Sequence, residues 1–420
     1  MPKIARQKID LTSLEYRAKP FEAFGRLRDM GPLVPARIPL LGDIWLATTY
    51  AAVDELLKND KLFCRDPRNA GKNFYWLFQL LMPGLFRRLA ENMIGKDEPD
   101  HRRLRLLVDQ AFQRQSIADM RPRIEQLVDE QLDIVAQVAD QLKEVDLIEN
   151  LARPVPLSVI CELLGLPPED RPKFRKWFAS FANVRSLWGI VRVVPGLRKT
   201  MRYLRGQFEE VKRNPRAGLM TALVEAEQEG DRLSENELIS MVMLLLLAGH
   251  ETTVHLLSNS ILTVLQMPHV RQELLADWWK VEPAVEEMLR YNSPAQFAKP
   301  RFVTADTTFH GQPLRRGETI MPVLAAANAD PARFENPTEF HIERPRNYHL
   351  DFGAGPHVCL GLKLARAETQ IVLERLFTRW PDLQPAFDPE RPDWSKRLGM
   401  RALATLLVVS PGATNLKCEA

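Results

Sequence analysis

Through most of the middle of the chain, apolar residues recur at helical spacing. In IEQLVDEQLDIVAQVADQL (Ile124–Leu142) they return at steps of three and four with acids and glutamines between them, which predicts an amphipathic helix. The same periodicity, with short breaks, runs from about residue 97 to 290, and Pro167–Pro168 in LGLPPEDRPKFRKWF mark a stop and a restart. From Glu235 the stretch ENELISMVMLLLLAGHETTVHLLSNSILTVLQ becomes apolar on nearly every face, as a helix buried in a core does. After Arg290 the texture changes to prolines, polar loops and short β-type runs such as TTFHGQPLRRGETIMPVL, and then to a final helix, Leu362–Trp380. Near the N-terminus, PLLGDIWLATTYAAVDELL alternates like a strand. The expectation is a mainly α protein with small β-sheets (α+β), its sheet assembled from both ends of the chain. No internal repeat, low-complexity segment or linker stands out, which predicts one intertwined domain, 1–420, with residues 1–20 and 411–420 peripheral.

Composition narrows the function classes. With 45% hydrophobic and 26% charged residues the chain can bury a large core. The net charge of +3 is spread out and leaves no footprint for nucleic acid. The cysteines Cys64, Cys161, Cys359 and Cys418 are far apart, with no CxxC pair, which points to a reducing compartment. MPKIARQKIDL lacks the apolar core of a signal peptide, and the most apolar stretch, Met241–Gly249, falls short of the roughly 20 residues of a membrane span. A cytoplasmic protein with no membrane span is expected.

One cysteine sits in an unusual setting. FGAGPHVCLG (Phe352–Gly361) places Cys359 between glycines and two residues after His357. A cysteine can be a packed hydrophobe, a nucleophile, a zinc ligand or an iron ligand. Zinc is disfavoured, because Cys359 has only His357 as a near neighbour and structural zinc takes four ligands. The glycines suit a backbone that turns sharply or lets a large flat ligand come close. A second stretch, AGHETT (Ala248–Thr253), puts an acid and threonines into the most apolar helix, where an unpaired charge is costly. It is not an HExxH zinc motif, since His255 follows His250 by five residues and points to another face.

Phe352-Gly353-x-Gly355-x-His357-x-Cys359-x-Gly361 resembles the haem-binding signature of the cytochrome P450 family. AGHETT resembles that family's central-helix oxygen-activation motif, and Glu287 and Arg290 in EEMLRYNSP match its Glu-x-x-Arg pair. The resemblance runs from roughly residue 50 to 410; His250, Pro356 and Arg102 are small departures from its pattern. It implies the cytochrome P450 fold, a triangular helical prism around a buried haem b (iron protoporphyrin IX), with Cys359 as the metal ligand. It implies further that Phe352, Gly353, Gly361, Ala248 and Gly249 border the cofactor, and that His101, Arg105, Arg301 and His357 hold its propionates. Glu251 and Thr252 would relay protons, while Glu287, Arg290 and Arg344 would form a structural lock. By position, Phe74, Trp76, Phe78, Ile94, Leu245, Ala248, Gln296, Phe297 and the stretch Lys176–Val191 would wall a substrate pocket.

The implied reaction is monooxygenation by a monomer of a lipophilic small molecule, a fatty acid, terpenoid, steroid or polyketide, with O2. Electrons would come from a separate ferredoxin or flavodoxin-type donor with an NAD(P)H reductase. Arg102, Arg103, Lys363 and Arg366 would offer an acidic donor a basic face. Peroxide-driven peroxygenation and non-catalytic ligand binding or sensing are the alternatives, and the Glu251–Thr252 pair argues against both because neither needs a proton relay for dioxygen.

Overall fold

The computed structural model describes residues 7–38, 42–72, 92–113, 117–178, 187–228, 230–397 and 399–409. Internal contacts divide the chain into two units: Met1–Tyr75 with Leu132–Asn150 and Val254–Ala420, and Trp76–Gln131 with Leu151–Thr253.

The first unit is built on a six-stranded sheet drawn from the two ends of the sequence. Its strands are β1 (Gln7–Lys8), β2 (Leu33–Ile38), β3 (Gly42–Ala47), β4 (Phe63–Cys64), β5 (Arg301–Val303) and β6 (Thr319–Pro322), in the order β1-β2-β3-β6-β5-β4. The β2–β3 hairpin is antiparallel, with Leu33 opposite Ala47, and β3 runs parallel to β6, with Trp45 opposite Ile320. Side chains alternate across a sheet. Trp45 and Ala47 therefore enter one apolar cluster with Val53, Leu56 and Leu57 of helix α2 (Tyr50–Lys58), and Ile44 and Leu46 enter a second with Phe24 and Leu27 of helix α1 (Pro20–Asp29). The sheet is thus buried on both faces.

One expectation is corrected here. The early run that alternates like a strand is strand only over β3; its second half is α2, where Thr49 caps the helix by accepting from the Ala52 N–H. Val53, Leu56 and Leu57 share a helical face there, and that spacing outweighs the local alternation.

The second unit is helical in its main elements. It contains α3 (Asp100–Gln113), most of α4 (Ile117–Ala139), α5 (Pro154–Leu164), α6 (Arg171–Phe178), α7 (Leu187–Arg213) and α8 (Leu219–Glu225). The long helix α9 (Glu235–Gln266) gives its first part, to Thr253, to this unit and the rest to the first. Among the described residues α9 alone is long and apolar enough to cross a membrane by length and composition, and 61% of its apolar window is buried inside the protein. Two more helices of the first unit frame the chemistry: α10 (Val281–Tyr291) and α11 (Leu362–Arg379).

Glu368 of α11 is sealed in the core, and its Oε2 makes no hydrogen bond among the described residues. Burial pushes its carboxyl from the ordinary 4.5 up to about 8. A raised carboxyl stabilises the fold while folded and unfolded chains are both protonated, and that contribution is lost as pH climbs from 4.5 through about 8. The thermal midpoint should fall across this window, and Glu368→Gln, which cannot ionise, should flatten the fall. An equally steep profile in the variant would assign the pH dependence to other groups.

Candidate active site

The segment around Cys359 is a tight loop leading into α11. Cys359 N–H donates to the Phe352 carbonyl at 2.9 Å, Val358 N–H to Gly355 O at 3.1 Å, and Gly353 N–H to Leu350 O at 2.8 Å. Gly361 caps α11, so the thiol stands two residues before a helix N-terminus, whose dipole favours a negative charge. Gly355 has φ +70°, and a Cβ there would lie 2.6 Å from the Leu57 carbonyl oxygen and 2.9 Å from Lys58 Cα. Only glycine lets the loop rest on the end of α2. The environment of Cys359 also separates it from the other described cysteines. Cys64 and Cys161 are buried, and burial pushes the Cys161 thiol up to about 12, whereas Cys359 is partly exposed.

Arg301 opens β5 with its side chain buried, and its Nε makes no hydrogen bond among the described residues. Burial pulls its pKa down to about 10, a fall that the charges of Asp60 and Cys64 only partly oppose. A buried guanidinium without a bonded anion is a ready partner for a ligand's carboxylate.

The first unit also brings Glu287, Arg290 and Arg344 together, and it does so completely. Arg290 uses all five donors: Nε and Nη2 on Glu287 at 2.8 and 2.7 Å, Nη1 on the carbonyls of Asn328 and Pro337 at 3.0 and 2.8 Å, and Nη2 again on the Glu339 carbonyl at 3.1 Å. Glu287 accepts in addition from Arg344 Nε at 2.9 and 3.1 Å, from the His341 N–H and from Asn347 Nδ2.

A second cluster has no counterpart in the sequence analysis. Arg366 binds Glu286 through Nε and Nη2 at 2.6 and 2.8 Å, His349 Nε2 lies 3.2 Å from the same carboxylate, and the guanidinium stacks 4.7 Å from the Phe352 ring. Burial opposes ionisation of Glu286, but the hydrogen bonds from Arg366 and His349 outweigh it and hold the carboxyl at about 2. The partners lie 80 and 63 residues apart in sequence, so no local spacing signals them.

This cluster corrects the expected basic face. Arg366 is neutralised by Glu286, and Arg103 is bound by Asp231 and Glu237, so two of its four cations are occupied.

In the second unit α9 is exposed at Ala248 and Gly249, between a buried run over residues 238–243 and another beginning at Thr253. Ala248 and Gly249 are exposed, Leu245, Glu251 and Thr252 are half-buried, and a Cβ on Gly249 would meet only Ile160 Cδ1, at 3.9 Å. Protein packing therefore does not require glycine at 249. Thr252 Oγ1 donates to the Ala248 carbonyl at 2.6 Å and Thr253 Oγ1 to Gly249 O at 2.7 Å. His250 turns inward, 3.1 Å from the Arg153 carbonyl to which it donates. His101 is buried with Nδ1 3.4 Å from Glu98, and Arg105 Nε is shared by both oxygens of Asp109 at 3.0 Å.

Of the expected pocket residues, Phe74, Trp76 and Phe78 lie outside the described residues, as does much of the stretch Lys176–Val191. Ile94 is half-buried on a short turn, Met93–Gly95. In the first unit Gln296 Nε2 donates to the Tyr16 carbonyl at 3.2 Å, and Phe297 packs edge-on to Phe24, ring centroids 6.0 Å apart.

Comparison with known proteins adds an independent line. The profile of the family described as Cytochrome P450 matches residues 280–401. A curated relative, "Polyketide biosynthesis cytochrome P450 PksS" of Bacillus subtilis (strain 168), is 35% identical over 94% of this chain and 96% of its own length. The solved structure of the Bacillus subtilis PksS protein superposes with a TM-score of 0.86, at 34% identity, covering 96% of this chain and 99% of that one. A myxobacterial cytochrome P450, CYP267B1, solved with myristic acid, gives 0.85 at 36% identity and 96% and 98% coverage. P450BioI, solved with an acyl carrier protein bearing hexadec-9Z-enoic acid, gives 0.82 at 33% identity and 94% and 100% coverage.

Proposed function

This chain belongs to the cytochrome P450 family of monooxygenases, which bind haem through a cysteine thiolate, and we propose that it hydroxylates a lipophilic molecule of the fatty-acyl or polyketide class with Cys359 as its iron ligand. The observation that carries this reading is the Cys359 loop: a partly exposed thiol in a glycine-spaced turn at a helix N-terminus, where the other described cysteines, Cys64 and Cys161, are buried. The residues fit haem. Arg301 is a buried cation without a hydrogen-bonded anion on Nε, and Ala248 and Gly249 are exposed in a helix most of whose apolar residues are buried. The acyl or polyketide class is supported by the relatives: one is named for polyketide biosynthesis, one neighbour was solved with myristic acid, and one with an acyl-loaded carrier protein.

When bound, haem supplies the activation of dioxygen and its insertion into a C–H bond. The chain's residues do the rest. Cys359 Sγ would hold the metal as a thiolate, a charge favoured by the dipole of α11. The Arg301 guanidinium would pair with a propionate, and the resemblance assigns the same role to His101, Arg105 and His357. Arg105 would share its charge between Asp109 and that propionate. Thr252 Oγ1 keeps its own hydrogen on the Ala248 carbonyl, so its lone pairs accept and hold a proton donor, and Glu251 resupplies it. Electrons come from a separate iron–sulfur or flavin protein, and the protein works in the cytoplasm.

The test is spectroscopic first. The reduced, carbon-monoxide-treated protein should give the thiolate-type spectrum, and turnover of a long-chain acyl substrate should require a ferredoxin, its reductase and NAD(P)H. Turnover by peroxide alone at the same rate would favour the peroxygenase alternative. The proton-holding role has its own measure. Thr252→Ala should still consume reductant but lower product per electron about tenfold, the remainder appearing as hydrogen peroxide, because a positioned proton donor is lost. Coupling equal to the unsubstituted enzyme would remove Thr252 from the relay.

A further inference from the structure

The stretch from Arg171 to Phe208 contains ten lysines and arginines and no aspartate or glutamate. With 57 basic and 54 acidic residues in 420, a segment of 38 would hold about five of each, so this is a block of one sign. Part of it is neutralised from outside: Arg171 by Glu162, Lys173 by Asp170, and Arg205 by Glu235. Lys176, Arg198, Lys199 and Arg202 are exposed and have no acidic partner among the described residues. The helices that carry them are fixed to each other. The rings of Phe174 and Trp177 on α6 pack 5.2 and 5.8 Å from that of Tyr203 on α7, whose hydroxyl donates to Asp170.

Two further observations say what such a surface fits. No large hydrophobic residue is exposed on the described parts of α6 or α7, whereas a helix that lies on a bilayer presents an apolar face beside its cations. Charge is what the described part of this surface offers, and its sign suits an acidic protein. The block also spans Lys176–Val191, the stretch that the sequence places along the substrate pocket. If that stretch walls the pocket, as the resemblance implies, a partner seated on the block is placed to bring substrate.

We propose that Arg198, Lys199 and Arg202, with Lys176, dock a small acidic carrier protein that presents the lipophilic acyl substrate on a thioester-linked arm. The inference rests on the acyl-substrate reading given under Proposed function.

The experiment uses the full-length haem-loaded protein and two probes, free palmitate and a bacterial acyl carrier protein loaded with palmitate. The unsubstituted enzyme should bind the loaded carrier more tightly than the free acid. Combined Arg198→Glu, Lys199→Glu and Arg202→Glu substitutions should weaken carrier binding about tenfold or more at low salt, and the gap should narrow as ionic strength rises. The haem shift caused by free palmitate and the thermal midpoint should stay unchanged. Carrier affinity untouched by the reversal overturns the proposal, as does an equal loss for free palmitate. A reversal that spares the carrier but impairs reduction by ferredoxin, or binding to anionic phosphatidylserine vesicles, assigns the surface to that partner and also overturns it. Failure of the acyl-substrate reading itself shows in the unsubstituted enzyme, as no haem shift with either probe.

Discussion

Cys359→Ser should abolish the thiolate-type spectrum of the reduced carbon-monoxide complex and reduce monooxygenase turnover by more than about 100-fold, while leaving a folded chain that retains some haem. The magnitude is a lower bound, because loss of a single outer partner of a metal ligand already costs 10- to 100-fold and here the ligand atom itself is exchanged. Folding should survive. The loop is held by backbone bonds, Cys359 N–H to Phe352 O among them, and these do not depend on the sulfur. The measurement is the absorption spectrum of the purified variant, reduced under carbon monoxide, with haem content determined alongside. A variant spectrum identical to that of the unsubstituted protein would sink the assignment of Cys359 as ligand.

Glu287→Ala should cost about 3–5 kcal/mol of stability, the range for removing one partner of a buried ion pair. Here one carboxylate serves Arg290, whose side chain is fully enclosed, and Arg344, whose side chain is 5% exposed. Its removal leaves two guanidinium charges sharing backbone carbonyls alone. Against a total stability of about 5–15 kcal/mol that loss is severe. The expected result is a low soluble yield and a small haem-to-protein ratio, with a thermal midpoint well below that of the unsubstituted protein. Glu287→Gln should fall between the two, since it keeps an acceptor for the His341 N–H but not the charge. Unchanged thermal stability in Glu287→Ala would mean that the arginines find other anions.

The parts of the protein that could be read from the sequence are those whose cause is local. The helical content follows from spacing, and the long apolar run becomes α9 because its residues leave no polar face. The two-ended sheet was legible from its β-type runs. The stretch Tyr50–Lys58 was misread because alternation in the preceding residues masked a face set by Val53, Leu56 and Leu57. The same limit applies to the site. The Cys359 turn, the Ala248–Thr253 segment and the Glu287–Arg290 pair each fit within ten residues and stand out. The hold of Glu286 and His349 on Arg366 does not, because tertiary contact creates it from distant segments. The family resemblance also puts Arg103 on a docking face, where folding gives it two acids of its own.

The close approach of Gly355 to the end of Tyr50–Lys58 has a practical consequence. Because the loop that bears Cys359 packs directly against the Leu57 carbonyl, disorder in that N-terminal helix should loosen the support under the sulfur. The colour of the bound pigment is then a built-in gauge of an element about 300 residues away in sequence. On slow heating, bleaching should coincide with the melting of Tyr50–Lys58, so absorbance and helicity followed together would separate the loss of this contact from the loss of helical structure elsewhere in the chain.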